Sequence, residues 1–232
     1  MTSIDLTYLV AGSVESDWRQ HVNGGGWVYK SATVEKSAYI APNARVFGDA
    51  RVFGYARVSG NARVSGNARV SGNAWVFGNA WVFGDAQVFG DARVSGDARV
   101  FDNARVSGNA RVFGNAWVSG DAQVFGDARV SGDARVSGDA QVFGYARVSG
   151  NARVSGNAWG ISPLQIQGSR HFVNLASLTQ ISIGCEIHDF RHWLDHFRDI
   201  GESHGYTAVE IAEYRHHIQS CIKYANSIKR RK

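Results

Sequence analysis

The sequence predicts a mainly β fold, a parallel β-helix of about seven coils with a cap at each end. Two observations predict it. An aliphatic residue recurs at every sixth position, from Val28, Val34, Ile40 and Val46 through to Val154, and it is valine at every step except Ile40. Alanine stands four residues after each of them, from Ala32 to Ala158, again without a gap.

Glycine follows the aliphatic residue by two from Gly48 onward, with Asp102 as the one exception, so the unit reads Val-(Phe/Ser)-Gly-(Asp/Asn)-Ala-(Arg/Trp/Gln). A β-branched side chain fits the pleated wall of a short strand. Alanine suits a corner with little room, and Gly with Asn or Asp supplies the backbone angles a tight corner demands. Three units close one triangular coil, and coils stack at the ordinary inter-strand spacing, so residues 27–159 should form a prism roughly 35 Å long. A stack of this kind leaves strand groups open at both ends, so caps are required. Residues 1–26, with Ile4, Leu6, Tyr8, Leu9 and Val10, are read as the N-terminal cap, and residues 160–232 as a β/α cap.

The unit resembles the hexapeptide repeat of the left-handed parallel β-helix proteins, whose best-known members are trimeric acyltransferases. That resemblance implies a left-handed parallel β-helix here. Two departures separate this chain from the enzymes. Phe or Ser takes the place of the usual small or acidic residue, and the coils are nearly identical to one another. A narrower resemblance covers the ends. Gly24-Gly25-Gly26-Trp27-Val28 leading into Ala38-Tyr39-Ile40 is similar to the start of YdcK-like bacterial, phage and prophage proteins. Ile183-Gly184-Cys185-Glu186-Ile187-His188 followed by Trp193 is similar to a C-terminal signature of the phage-type members.

Beyond the repeat, His171–Leu178 and Gln180–Ile183 read as two short strands. Residues 187–200 read as a helix with Phe190, Trp193, Leu194, Phe197 and Ile200 on one face. Thr207 with Glu210 forms a capping box for a second helix, which turns Ile211, Tyr214, Ile218, Cys221, Ile222 and Ala225 inward and ends in Lys229-Arg230-Arg231-Lys232.

The formal charge of +5, from 25 basic and 20 acidic side chains, favours an anionic partner without singling out nucleic acid. Two cysteines are too few for a disulfide framework. No apolar run approaches the ~20 residues of a spanning helix, and the N-terminus has no leader pattern. The expected location is the cytoplasm of a bacterial host, with no membrane partner.

Outward positions 18 apart stack in columns. One reads Trp27, Arg45, Arg63, Trp81, Arg99, Trp117, Arg135, Arg153; a second runs from Thr33 through Gln141 to Trp159; a third from Tyr39 through Trp75 to Arg147. The columns read either as a basic surface with interleaved Trp or as a solvated ladder whose Arg side chains pair with corner Asp. Phe83 with Phe101, and Phe125 with Phe143, are neighbours in their columns, and if exposed would suit a homo-oligomer interface, dimer or trimer.

The coils contain no histidine between His21 and His171 and no insertion for an acyl donor, so no catalytic residue is assigned. His188, His192 and His196 have metal-compatible spacing but no companion ligands, and neither a metal nor a cofactor is expected. The expected function is non-enzymatic binding or sequestration of a small anionic, nucleotide-like ligand, with an acyltransferase-like transferase or a structural scaffold as alternatives. A pocket needs broken symmetry, and the symmetry breaks after Trp159. The candidate ligand-binding residues are therefore Trp159, Arg170, His171, Cys185, His188, Arg191 and Trp193.

Overall fold

The computed structural model describes residues 6, 9–155, 158–159 and 163–229. Each repeat contributes a two-residue strand, such as Arg57–Val58 or Trp75–Val76, and then turns. Successive strands go to three different sheets, so each pairs in parallel with the strand one coil later: Trp75 lies opposite Arg93 and Val76 opposite Val94. The result is a β-solenoid of about seven turns with three parallel faces. Val and Ala fill its interior; Val94 and Ala98 are both 0% exposed. Outside, Phe83 stacks on Phe101 with ring centroids 5.0 Å apart, and Phe125 on Phe143 at 5.2 Å.

The corner glycines are required by space as well as by angle. Gly78 has φ +73°, and a Cβ there would sit 3.0 Å from the backbone nitrogen of Gly96 in the next coil. Asp102 holds the same left-handed conformation at φ 56°. Its short polar side chain makes that tolerable, because its carboxylate accepts a hydrogen bond from the Gly120 N–H at 3.1 Å.

At the N-terminal end, Trp18–Gln20 pairs antiparallel with Trp27–Tyr29 and closes the first face. Buried Trp18 packs against Tyr29 and Phe47, with centroids 5.2 and 6.1 Å away. Leu6 is buried as expected of a cap, and Leu9 and Val10 are half-buried. Ile4 and Tyr8 lie outside the described residues.

At the other end the register changes. The strand Ala158–Trp159 places Ala158, not Trp159, opposite Gln141, and Trp159 falls opposite Val142. The second column therefore does not continue to Trp159. The last coil is one residue short, and a one-residue slip moves a strand's residues to the opposite face. Above it sits a four-stranded antiparallel sheet, Gln165–Gln167, Phe172–Leu175, Gln180–Ile183 and Glu186–Asp189, where two strands were expected. It covers the stack by continuing its hydrogen bonds. The Asn174 side chain accepts from Arg153 N at 3.2 Å and donates to Arg153 O at 2.7 Å, and Ser155 N donates to Ala176 O at 2.8 Å.

Two helices complete the cap, α1 (Phe190–Ser203) and α2 (Ala208–Lys229). α1 begins three residues later than the pattern predicts, because residues 187–189 pair with the strand Gln180–Ile183. The Asp189 carboxylate, accepting from His192 N at 2.7 Å, sets the start. Trp193 is buried and donates from its indole to Ile181 O at 2.9 Å. Leu194 departs from the inward face and is 46% exposed. α2 opens on the predicted capping box: Thr207 N donates to Glu210 at 2.7 Å, and Glu210 N donates to Thr207 Oγ1 at 3.3 Å. It buries Ile211, Tyr214, Ile218, Cys221 and Ala225, while Ile222 stays half-buried. Arg230, Arg231 and Lys232 lie outside the described residues. Among the described residues, no helix is long and apolar enough to cross a membrane.

Candidate functional site: the C-terminal cap and the outer columns

Between the antiparallel sheet and the two helices lies a half-open cavity of about 50 Å³. Ile183, Ile200, Ile211, Ile218, Trp193 and Phe197 form its apolar lining. His171, Cys185, Glu186, His204, Tyr206 and Tyr214 supply its polar groups. Gly184 turns the chain at φ 57°, and a Cβ there would meet the His171 ring at 2.9 Å. Gly201 lets α2 approach, since a Cβ on it would lie 2.9 Å from Ile211.

The Tyr214 hydroxyl is the fastener of this region. It accepts from Arg170 N at 3.0 Å and from His171 N, and it donates to His171 O at 2.9 Å. The Tyr206 hydroxyl bonds the His171 Nδ1, and their rings lie parallel with centroids 5.8 Å apart. Burial, with the neighbouring Tyr214 second, pushes the Tyr206 phenol up to about 12. Glu186 takes the His188 Nε2 at 2.8 Å on one oxygen and the His204 Nε2 at 3.3 Å on the other. The His188 hydrogen bond is the first cause holding its carboxyl below the ordinary range.

Of the sequence-predicted residues, His171, Cys185 and Trp193 line the cavity. His188 stands beside it, edge-on to Trp193 at 5.1 Å and bound to Glu186. Among the described residues no hydrogen bond joins Cys185 to an imidazole, so a thiol–imidazole pair is not assembled here. Arg170 is engaged locally: it donates to Gly205 O at 2.7 Å and lies over the Tyr206 ring at 4.7 Å. Arg191 is apart from the cavity, 93% exposed and 3.6 Å from Asp195 on its own helix. The side chain of Trp159 lies outside the described residues. His188, His192 and His196 do stack, with centroids 4.3 and 4.4 Å apart, and no group of three or more potential metal ligands is formed among the described residues.

Sequence reasoning missed Tyr206, Glu186 and His204. The alternation Glu186–His188 was the available signal, since alternate residues share one face of a strand. It was masked by the helical spacing of the three histidines that follow.

The outer columns differ from the paired ladder the sequence suggested. The corner aspartates are taken by asparagines one coil earlier: Asn67 donates to Asp85 at 3.1 Å, Asn73 to Asp91 at 3.1 Å and Asn115 to Asp133 at 3.0 Å. Some guanidinium groups turn to aromatic rings instead, with Arg99 and Arg135 lying over Trp117 at 5.2 and 4.8 Å. An Asn amide satisfies a neighbouring carboxylate from a fixed corner, while a flexible Arg loses rotamer freedom to do so.

The family model described as YdcK Beta solenoid repeat matches residues 44–60, 56–70, 68–84, 86–102, 104–120, 122–138, 128–144 and 146–159. The coils are YdcK-like. These YdcK-like matches fall on the solenoid, and none of them covers the C-terminal cap. No curated protein and no solved structure matches the chain.

Proposed function

We propose that this protein binds and sequesters a small anionic ligand of the nucleotide class without converting it. The observation that supports the reading is the chemistry of the columns. Their corner carboxylates are occupied by Asn amides, so column guanidinium groups remain for an oxygen anion from outside. The uniform stack serves as a rigid scaffold, and its coils carry no histidine that could act as a base. The same reading makes the protein one of phage or prophage type, acting in the host cytoplasm as a dimer or trimer that pairs through its Phe stacks.

The cap cavity limits what it could hold. Its volume of about 50 Å³ is well below the ~150 Å³ that admits benzene, so a nucleobase does not enter it as it stands. Calorimetry of the intact protein against cyclic and linear nucleotides tests the proposal. Binding is expected to weaken with added salt, and the ligand should be recovered unchanged. Failure of every phosphorylated compound to bind overturns the reading, as does turnover of the ligand or of acetyl-coenzyme A.

A further inference from the structure

We infer that the groove along the first face, from Arg45 to Arg99, is a nucleoside diphosphate site in which guanidinium groups take the diphosphate and Trp81 takes the base. The inference rests on the anionic-ligand reading and gives it a place.

Size comes first. The groove encloses about 470 Å³, within the usual ~300–1,000 Å³ of small-molecule sites. It runs across four consecutive rungs of one column, Arg45, Arg63, Trp81 and Arg99, which the parallel pairing holds in register.

Charge comes second. Arg45, Arg63 and Arg99 line the groove against one carboxylate, Asp97. That carboxylate ends an amide relay: Asn61 donates to Asn79 at 3.3 Å, and Asn79 donates to Asp97 at 3.0 Å. Asp97 is thus satisfied along the corner, and the groove keeps a net positive charge.

Third, Arg45 carries an unused donor. Its Nη1 is anchored to Asn43 O at 3.1 Å, while its Nε is shielded from water and has no acceptor. A shielded N–H without an acceptor is costly, and a phosphate oxygen would satisfy it.

Fourth, Trp81 differs from Trp117 in the same column. Two guanidinium groups cover Trp117, and Arg99 is one of them. Among the described residues no guanidinium lies over Trp81. Its indole N–H is fixed to Ser65 Oγ at 2.9 Å, and its ring is braced by Phe83 at 4.4 Å. A held, uncovered indole one rung from an Arg is the platform on which a base stacks. The comparable groove on the third face has Tyr39, Tyr55 and Trp75 but a single Arg, Arg57, so it lacks the cation set.

The test is calorimetry of the full chain at low salt with two probes, adenosine diphosphate and inorganic pyrophosphate. Both should bind, the nucleotide more tightly by about tenfold through stacking. Trp81→Ala should reduce adenosine diphosphate to the pyrophosphate level and leave pyrophosphate unchanged. Trp81→Phe, which keeps the packing on Phe83, should fall between. Arg63→Ala should weaken both probes at least about tenfold, given a charge-assisted contact to phosphate, and Arg170→Ala should weaken neither. Unchanged melting curves establish that the variants are folded. Binding that survives Arg63→Ala and Trp81→Ala but is lost in Arg170→Ala overturns the groove and leaves the anionic-ligand reading intact. Binding of neither probe overturns the groove outright, and the wider nucleotide panel then decides the broader reading separately.

Discussion

The coils and the C-terminal cap close their backbones and fill their cores in different ways. In the coils, backbone donors meet acceptors one coil further on, as Trp75 N meets Ala92 O and Phe77 N meets Val94 O, both at 2.9 Å. The interior is Val and Ala throughout, so the inside contributes stability and no individuality. In the cap, closure depends on particular side chains: Asn174 on Arg153, Tyr214 on residues 170 and 171, and the Trp193 indole on Ile181. The contrast teaches where recognition can arise. A uniform core frees the outward residues to vary, because a change from Arg63 to Trp81 to Arg99 along one column leaves the valines behind them in place.

The largest effect that would test this contrast comes from the coil interior. Val94→Asp places a carboxylate at a position that is 0% exposed, in a core without polar partners. It should cost at least about 4 kcal/mol, seen as a large fall in the thermal midpoint by circular dichroism. A variant melting like the parent would contradict the interior assignment.

Next comes the corner. Gly78→Val forces a β-branched residue to φ +73° against the backbone of Gly96 and should cost about 2 kcal/mol. Asp102→Gly removes the strained residue together with its bond to Gly120, so the two effects oppose and the midpoint should barely move. Comparing both melts separates corner geometry from corner chemistry.

The cap answers to a subtler change. Tyr214→Phe strips the hydroxyl that serves Arg170 N, His171 N and His171 O, and should cost about 1–3 kcal/mol. Hydrogen exchange should quicken in α2 and in residues 170–175 while the coils keep their protection. Equal loss in both regions would mean that cap and coils unfold as one unit.

The smallest effect is one of pH. The Glu186 carboxyl is held below its ordinary range, first by His188. Its contribution is present above the unfolded carboxylate range and is lost as pH falls through the lowered folded value. Acid melts of the cap should show this loss, and Glu186→Gln should abolish that part of the dependence.

Much of the architecture was legible because it is repeated. The sixfold spacing of Val46, Val52 and Val58 names both the strands and the interior, and Gly48 and Gly54 name the corners. The capping box at Thr207 and Glu210 was legible because it is local. The last coil was not: nothing in Asn157-Ala158-Trp159 announces that it is one residue short, since the register depends on the sheet above it. Glu186–Asp189 was misassigned because four residues carry little periodicity and their neighbours read as helix. The cap site was legible in part. His171, Cys185 and Trp193 lie close in sequence and meet at the cavity, but Tyr206 reaches His171 from 35 residues away. The groove was legible as a column but not as a site. That Arg99 leans toward Trp117 and leaves Trp81 uncovered is decided by side-chain packing, not by spacing.

Three repeat units complete one turn, and this makes the chain's length a geometric variable. Loss or gain of 18 residues would slide the cap along the axis and leave every column in phase. Loss of a single six-residue unit would leave Val over Val and Gly over Gly, yet everything beyond the deletion would be rotated by about 120° relative to what precedes it. Arg63 would then no longer stand in line with Trp81 and Arg99. Nearly identical repeats are prone to such gains and losses, so a lineage built on this unit could rearrange its outer chemistry in thirds of a turn without any substitution in its core.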